Sequence, residues 1–168
     1  MSQPHPDAGA VVVRAAILTV SDTRTAETDK SGPLIRSSLT QAQHQVVAYT
    51  IHKDEPTQIR QQLIDWVATL DLDVILVNGG TGIAPRDTTY EAISKLLTKS
   101  LPGFGELFRM LSYDQIGSRA MASRAIAGVY QSVLIFSMPG SSKAVELAME
   151  RLILPELGHL TRQIQSHQ

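Results

Sequence analysis

The sequence has 168 residues, 43% of them hydrophobic and 18% charged, with 11 Gly and 8 Pro, which suits one globular domain and excludes a disordered or fibrous chain. Fifteen Lys plus Arg against sixteen Asp plus Glu leave a net charge of -1, so no strong overall field draws the chain to nucleic acid or an anionic membrane. The absence of cysteine excludes a disulfide scaffold, an iron-sulfur cluster, a thiolate zinc site and a cysteine nucleophile.

From Met1 to Ala10 there is no basic region followed by an apolar one, and Asp7 with no Arg before Arg14 argues against a transit peptide. Residues 1–12 are expected to form a loose tail and residues 13–168 a single domain. No apolar run approaches the ~20 residues that span a bilayer, so a cytoplasmic protein without a membrane partner is expected.

Val11 to Val20 is almost uninterruptedly apolar and rich in β-branched residues, as a strand buried on both faces should be. The turn after it, Thr19-Val20-Ser21-Asp22-Thr23-Arg24, carries hydroxyls and one carboxylate. Ser21 or Asp22 there either caps the following helix or helps bind an anion, and residue type alone favours the cap. Val46 to His52 reads as a second strand, followed by Lys53-Asp54-Glu55-Pro56 and an apolar stripe at Ile59, Leu63, Trp66, Val67 and Leu70 that marks a helix. A carboxylate before proline at a helix start is again what capping produces by itself.

Val74 to Asn78 is a third strand, and after it comes Asn78-Gly79-Gly80-Thr81-Gly82-Ile83-Ala84-Pro85-Arg86-Asp87-Thr88-Thr89. Glycines at 79, 80 and 82 free the backbone for positive φ and close approach, so that N–H groups can converge on a phosphate as in a nest. Arg86 would add planar donors and Asp87 a carboxylate suited to Mg²⁺, with Thr88 or Thr89 capping the next helix, whose stripe is Ala92, Ile93, Leu96 and Leu97. The Lys-Ser/Thr of a Walker A loop and the spacing of a dinucleotide fingerprint are both missing. Phe104, Phe108 and Met110 form either ordinary core or a subunit contact, with Arg109, Arg119 and Arg124 turned toward anions in the second case. A short hairpin strand near Ala127 to Tyr130 precedes a fourth run, Ser132 to Ser137. Pro139-Gly140-Ser141-Ser142-Lys143 then opens a helix with its stripe from Val145 to Ile153, and its serines suit capping and phosphate binding equally. The histidines at 5, 44, 52, 159 and 167 show no metal-ligand spacing.

The alternation of strand-like and helix-like periods indicates an α/β sheet with helices on both faces, whose ligands bind beyond the carboxyl ends of the strands. The ordered set TVSDTR, KDEP, NGGTGIAPRDTTYEA, PGFGELFRM, SRAIAG and MPGSSKAVELA resembles the molybdopterin-binding family of molybdenum-cofactor biosynthesis, which includes the MoaB and Mog proteins, over about Ala15 to Leu157. The Pro-Gly-Ser-Ser-Lys loop is more similar to the MoaB branch. The resemblance implies a three-layer α/β sandwich with a mostly parallel central sheet, assembled as a trimer or hexamer. It implies adenylylation of molybdopterin with Mg-ATP: the terminal phosphate of the pterin attacks the α-phosphate, pyrophosphate leaves, and the product passes to a molybdate-inserting enzyme.

On the same resemblance Asp87 and Asp54 are the catalytic and Mg²⁺-holding residues. Gly79, Gly80, Thr81, Gly82, Arg86, Ser21 and Asp22 would bind the nucleotide phosphates, and Gly140, Ser141, Ser142 and Lys143 the pterin phosphate. Retention of the Arg86-Asp87 pair resembles the competent members of the family rather than those that have lost it. The alternative is a noncatalytic molybdopterin carrier of the same fold; a phosphohydrolase is disfavoured because no base is evident to activate water.

Overall fold

The computed structural model describes residues 11–166. Its elements are β1 (Arg14–Val20), α1 (Ser31–Gln41), β2 (Gln45–His52), α2 (Pro56–Thr69), β3 (Val74–Asn78), α3 (Thr89–Ser94), β4 (Lys99–Ser100), α4 (Pro102–Ile116), β5 (Ile126–Tyr130), β6 (Val133–Met138), α5 (Ser142–Ala148) and α6 (Leu154–Gln165). The six strands form one sheet in the order β2-β1-β3-β6-β5-β4. β2, β1, β3 and β6 run parallel, while β5 lies antiparallel to both of its neighbours, β6 and β4.

The pleat sorts the strand residues between two cores. Ala15 and Ile17 of β1, Leu76 of β3 and Phe136 of β6 face α1, α4, α5 and α6. Ala16, Leu18, Ile75 and Ile135 face α2 and α3 on the other side. Because both faces are covered, β1, β3 and β6 are apolar nearly throughout, which is the three-layer architecture expected from the sequence. Among the described residues no helix is long and apolar enough to cross a membrane.

Several expected boundaries move. Most of the expected tail lies outside the described residues, but Val11 already packs against the core and β1 begins only at Arg14. The cause is local: the Val13 N–H donates to His44 Nδ1 at 3.2 Å instead of to a neighbouring strand. The stripe expected from Val145 to Ile153 divides into α5 and a π-helical turn at Met149–Ile153, followed at once by α6. Pro155, in the first turn of α6, has no N–H to continue the regular ladder, so the chain loosens before it. Phe104 and Phe108, one helical turn apart on α4, are buried at 5% and 2% exposure and belong to the core, whereas Met110 on the opposite face is 58% exposed.

Candidate functional site

The carboxyl ends of β1, β3 and β6 meet because glycine lets them. Gly79 has φ +102° and sits where a Cβ would collide with the Val20 carbonyl, while its N–H donates to the Met138 carbonyl at 3.0 Å. That N–H therefore serves the sheet and not the expected anion nest. Gly80, at φ +64°, leaves room that Asp54 Oδ2 and Thr89 Oγ1 occupy, and a Cβ on Gly82 would lie 2.6 Å from Asp87 Oδ2. The glycine-rich loop is thus the bed on which both predicted carboxylates rest.

Asp54 is buried at the start of α2 but does not cap it; the N-cap position is Glu55, with no side-chain cap bond. Asp54 Oδ1 instead accepts hydrogen bonds from Thr88 N–H at 3.1 Å and Thr88 Oγ1 at 2.6 Å, with Thr89 Oγ1 at 3.5 Å. Thr88 likewise holds Asp54 rather than capping α3 with its side chain. Burial pushes the Asp54 carboxyl above the usual carboxylate range, and the charges of Asp87 and Asp22 add to that, outweighing the hydrogen bonds from Thr88. Asp87 is half-buried, and its Oδ2 accepts the Ala84 N–H at 2.9 Å.

Neither Ser21 nor Asp22 caps α1, which starts nine residues beyond Asp22 at Ser31. Ser21 Oγ accepts the Thr23 and Arg24 amides at 3.3 and 3.1 Å and closes its own turn. Asp22 Oδ1 accepts the Asp54 N–H at 3.1 Å, and its carboxylate takes Arg86 Nε at 3.0 Å and Nη2 at 2.9 Å. The Arg86 guanidinium holds the Asp22 carboxyl below its usual range, with the Asp54 N–H helping. Arg86 Nη1 also reaches Glu55 Oε1 at 2.8 Å. The expected phosphate cation is therefore engaged by two carboxylates, because the loop folds back over the start of α2.

Across from Thr81 and Gly82 lies the loop after β6, and the two line a cleft of about 940 Å³ walled by α4 and α5, with Ser142, Lys143 and Ser112 on its surface. Ser141 is the N-cap of α5, its Oγ accepting the Ala144 N–H at 3.3 Å. Gly140 is fixed by the Ser31 hydroxyl, which donates to its carbonyl at 2.7 Å. Ser123 Oγ is buried beside the cleft without a hydrogen-bond partner.

The residues that sequence reasoning missed are supporting ones. Asp29 is buried and accepts from Thr19 Oγ1 and Tyr49 Oη at 2.6 Å each and from the Ser31 and Gly32 amides at 3.0 and 3.2 Å. Burial alone would raise its carboxyl, but these hydrogen bonds together hold it below its usual range. Asp two residues before Ser-Gly-Pro is a capping pattern and was the available signal. Arg109 and Arg124 face backbone carbonyls, Ser123 for the first and Gly82 and Asp87 for the second, so these donors serve the fold rather than a bound anion. Arg124 also pairs with Glu91.

Magnesium fits this site by donor chemistry. Every hydrogen bond to Asp54 falls on Oδ1, and the proximity of Asp87 and Asp22 is a repulsion that a divalent cation relieves. Among the described residues no three His, Cys, Asp or Glu side chains form a complete metal cage, so phosphate oxygens would complete the shell.

Residues 16–159 match the family described as "probable molybdopterin binding domain". A relative in Halalkalibacterium halodurans, molybdenum cofactor biosynthesis protein B, is 56% identical over 163 residues, which cover 96% of each chain. A crystal structure of a molybdenum cofactor biosynthesis protein B superimposes with a TM-score of 0.90 at 55% identity, covering 93% of this chain and 98% of that one. The tungsten cofactor synthesizing protein MoaB from Pyrococcus furiosus gives 0.84 at 34% identity, covering 94% and 99%.

Proposed function

This chain belongs to the molybdopterin-binding family of molybdenum-cofactor biosynthesis, as a MoaB-type member, and from that premise we propose that it adenylylates molybdopterin with Mg-ATP. The observation that carries the proposal is the placement of Asp54 and Asp87 against one glycine loop at the strand ends, whose Thr81 and Gly82 also line the cleft. A noncatalytic carrier would need the cleft but would have no use for a buried carboxylate at Asp54 held next to the half-buried charge of Asp87.

In this reading the pterin lies in the cleft with its terminal phosphate at Ser142 and Lys143, and Ser141 contributes mainly by capping α5. A phosphate oxygen attacks the α-phosphorus of ATP; the new P–O bond forms as the bond to the bridging oxygen breaks, and pyrophosphate carries that electron pair away. Asp54 and Asp87 would hold Mg²⁺, which would supply charge neutralisation on the triphosphate. Phosphoryl chemistry of this kind asks for positioning and electrostatic balance, which rigidly placed carboxylates provide.

The reading extends to a cytoplasmic trimer or hexamer that hands its product to a molybdate-inserting enzyme. What supports an assembly is an exposed apolar face on and after α4, comprising Leu107, Met110, Tyr113, Ile116 and Met121. The test of the activity is to mix the pure protein with molybdopterin and Mg-ATP and to look for adenylylated pterin and pyrophosphate. Tight pterin binding without either product would leave the carrier reading in its place.

A further inference from the structure

Arg124 follows the 3₁₀ turn Gly117–Ala122, more than thirty residues beyond the glycine loop, yet most of its hydrogen-bonding capacity is spent there. Its backbone N–H donates to the Thr81 carbonyl at 3.0 Å, its Nε to the Gly82 carbonyl at 2.8 Å and its Nη2 to the Asp87 carbonyl at 2.9 Å. Nη1 pairs with Glu91, and the guanidinium lies 5.1 Å over the Tyr90 ring.

A peptide group is planar, so where its carbonyl is fixed its N–H points the opposite way. The peptide joining Asp87 to Thr88 gives its oxygen to Arg124 and its N–H to Asp54 Oδ1 at 3.1 Å. One side chain therefore grips both ends of the segment from Gly82 to Asp87 and aims the Thr88 N–H at Asp54. We propose that Arg124 is the positioning residue of the site, fastening the loop so that Asp54 and Asp87 face the same substrate phosphates. It touches neither carboxylate, and its own charge is answered by Glu91. The planar fork is essential, because one lysine ammonium cannot reach carbonyls 82 and 87 and Glu91 together. The inference rests on the adenylyl-transfer reading for its consequence, but not for its geometry.

The test compares Arg124→Lys, Arg124→Gln and Glu91→Gln in the full chain. Amide hydrogen exchange without ligands reads the geometry: in both Arg124 variants the Thr88 amide should exchange at least tenfold faster, with β1 and β3 amides unchanged. Glu91→Gln, which keeps the carbonyl contacts, should leave Thr88 protected. Turnover reads the consequence: kcat for adenylylation should fall tenfold or more in Arg124→Lys, while molybdopterin affinity stays within twofold. Wild-type protection of Thr88 in Arg124→Lys, or equal loss in Glu91→Gln, overturns the proposal. So does a wild-type kcat, or a pterin affinity that falls as far as kcat. A wild-type protein that forms no adenylylated pterin defeats the activity reading, while the exchange result still decides whether Arg124 fastens the loop.

Discussion

Two buried aspartates titrate in opposite senses, and this separates structure from chemistry residue by residue. Asp29, held below its usual range once its four hydrogen-bonding partners outweigh burial, contributes stability above its unfolded value of about 3.8 and loses it as pH falls further. Asp54 is raised by burial and by its acidic neighbours, so its contribution to stability is greatest in acid and is lost as pH rises through its raised value. Asp54→Asn is therefore expected to raise the unfolding midpoint at pH 7, and to raise it less at pH 4, while abolishing transfer; calorimetry at both pH values checks the sign. Asp29→Ala strands four donors in the core and should cost about 3 kcal/mol. Asp87→Asn should leave the fold in place but remove the charge proposed to hold the metal, and a contribution of ~3 kcal/mol would mean a loss of about a hundredfold in rate. Unchanged turnover in that variant would remove Asp87 from the mechanism.

At the level of elements, the loop after β3 distinguishes glycines that serve the sheet from glycines that serve the carboxylates. Gly79 faces the Val20 backbone at φ +102°, so Gly79→Ala should lower stability by several kcal/mol, since neither strand end can retreat. Gly82 meets only the movable end of Asp87 and has no positive φ, so Gly82→Ala should fold normally and lose tenfold or more in kcat as the carboxylate is pushed aside. Parallel unfolding curves and turnover measurements decide it, and equal behaviour of the two variants would contradict the assignment. In the loop after β6, Ser141→Ala should cost about 1 kcal/mol as a lost cap. Lys143→Ala should instead weaken molybdopterin binding about tenfold through loss of a charge-assisted contact, at unchanged stability. Ser141 was open to either role in the sequence, because a cap and a phosphate donor call for the same hydroxyl at the same place.

For the whole molecule, the expected assembly now rests on other residues than Phe104 and Phe108, which are spent inside. Leu107, Met110, Tyr113, Ile116 and Met121, between 46% and 83% exposed, make the face that a trimer would cover. An obligate interface of that kind buries more than ~2,000 Å². Light scattering at micromolar concentration should give a trimer or hexamer, and Met110→Glu combined with Tyr113→Glu should return a folded monomer. A monomeric wild type would leave the exposed face without this explanation.

The sequence by itself determined the layered α/β fold, the buried parallel strands and the turns where chemistry gathers, because these depend on continuous apolar, β-branched runs, on helical patterns and on glycine, all local signals. It also singled out Asp54 and Asp87, which the structure brings together against one glycine loop. Only the tertiary structure decided that Asp54 is held by Thr88 rather than spent on capping, that Arg86 is engaged by Asp22 and Glu55, that Asp29 fixes the start of α1 and that Arg124 binds the carbonyls of the glycine loop. Each of those pairings, apart from the contacts Asp29 makes at the start of α1, joins residues far apart in the chain. A side chain's own spacing carries no record of such a partner; it is chosen by which strand ends the sheet order brings together.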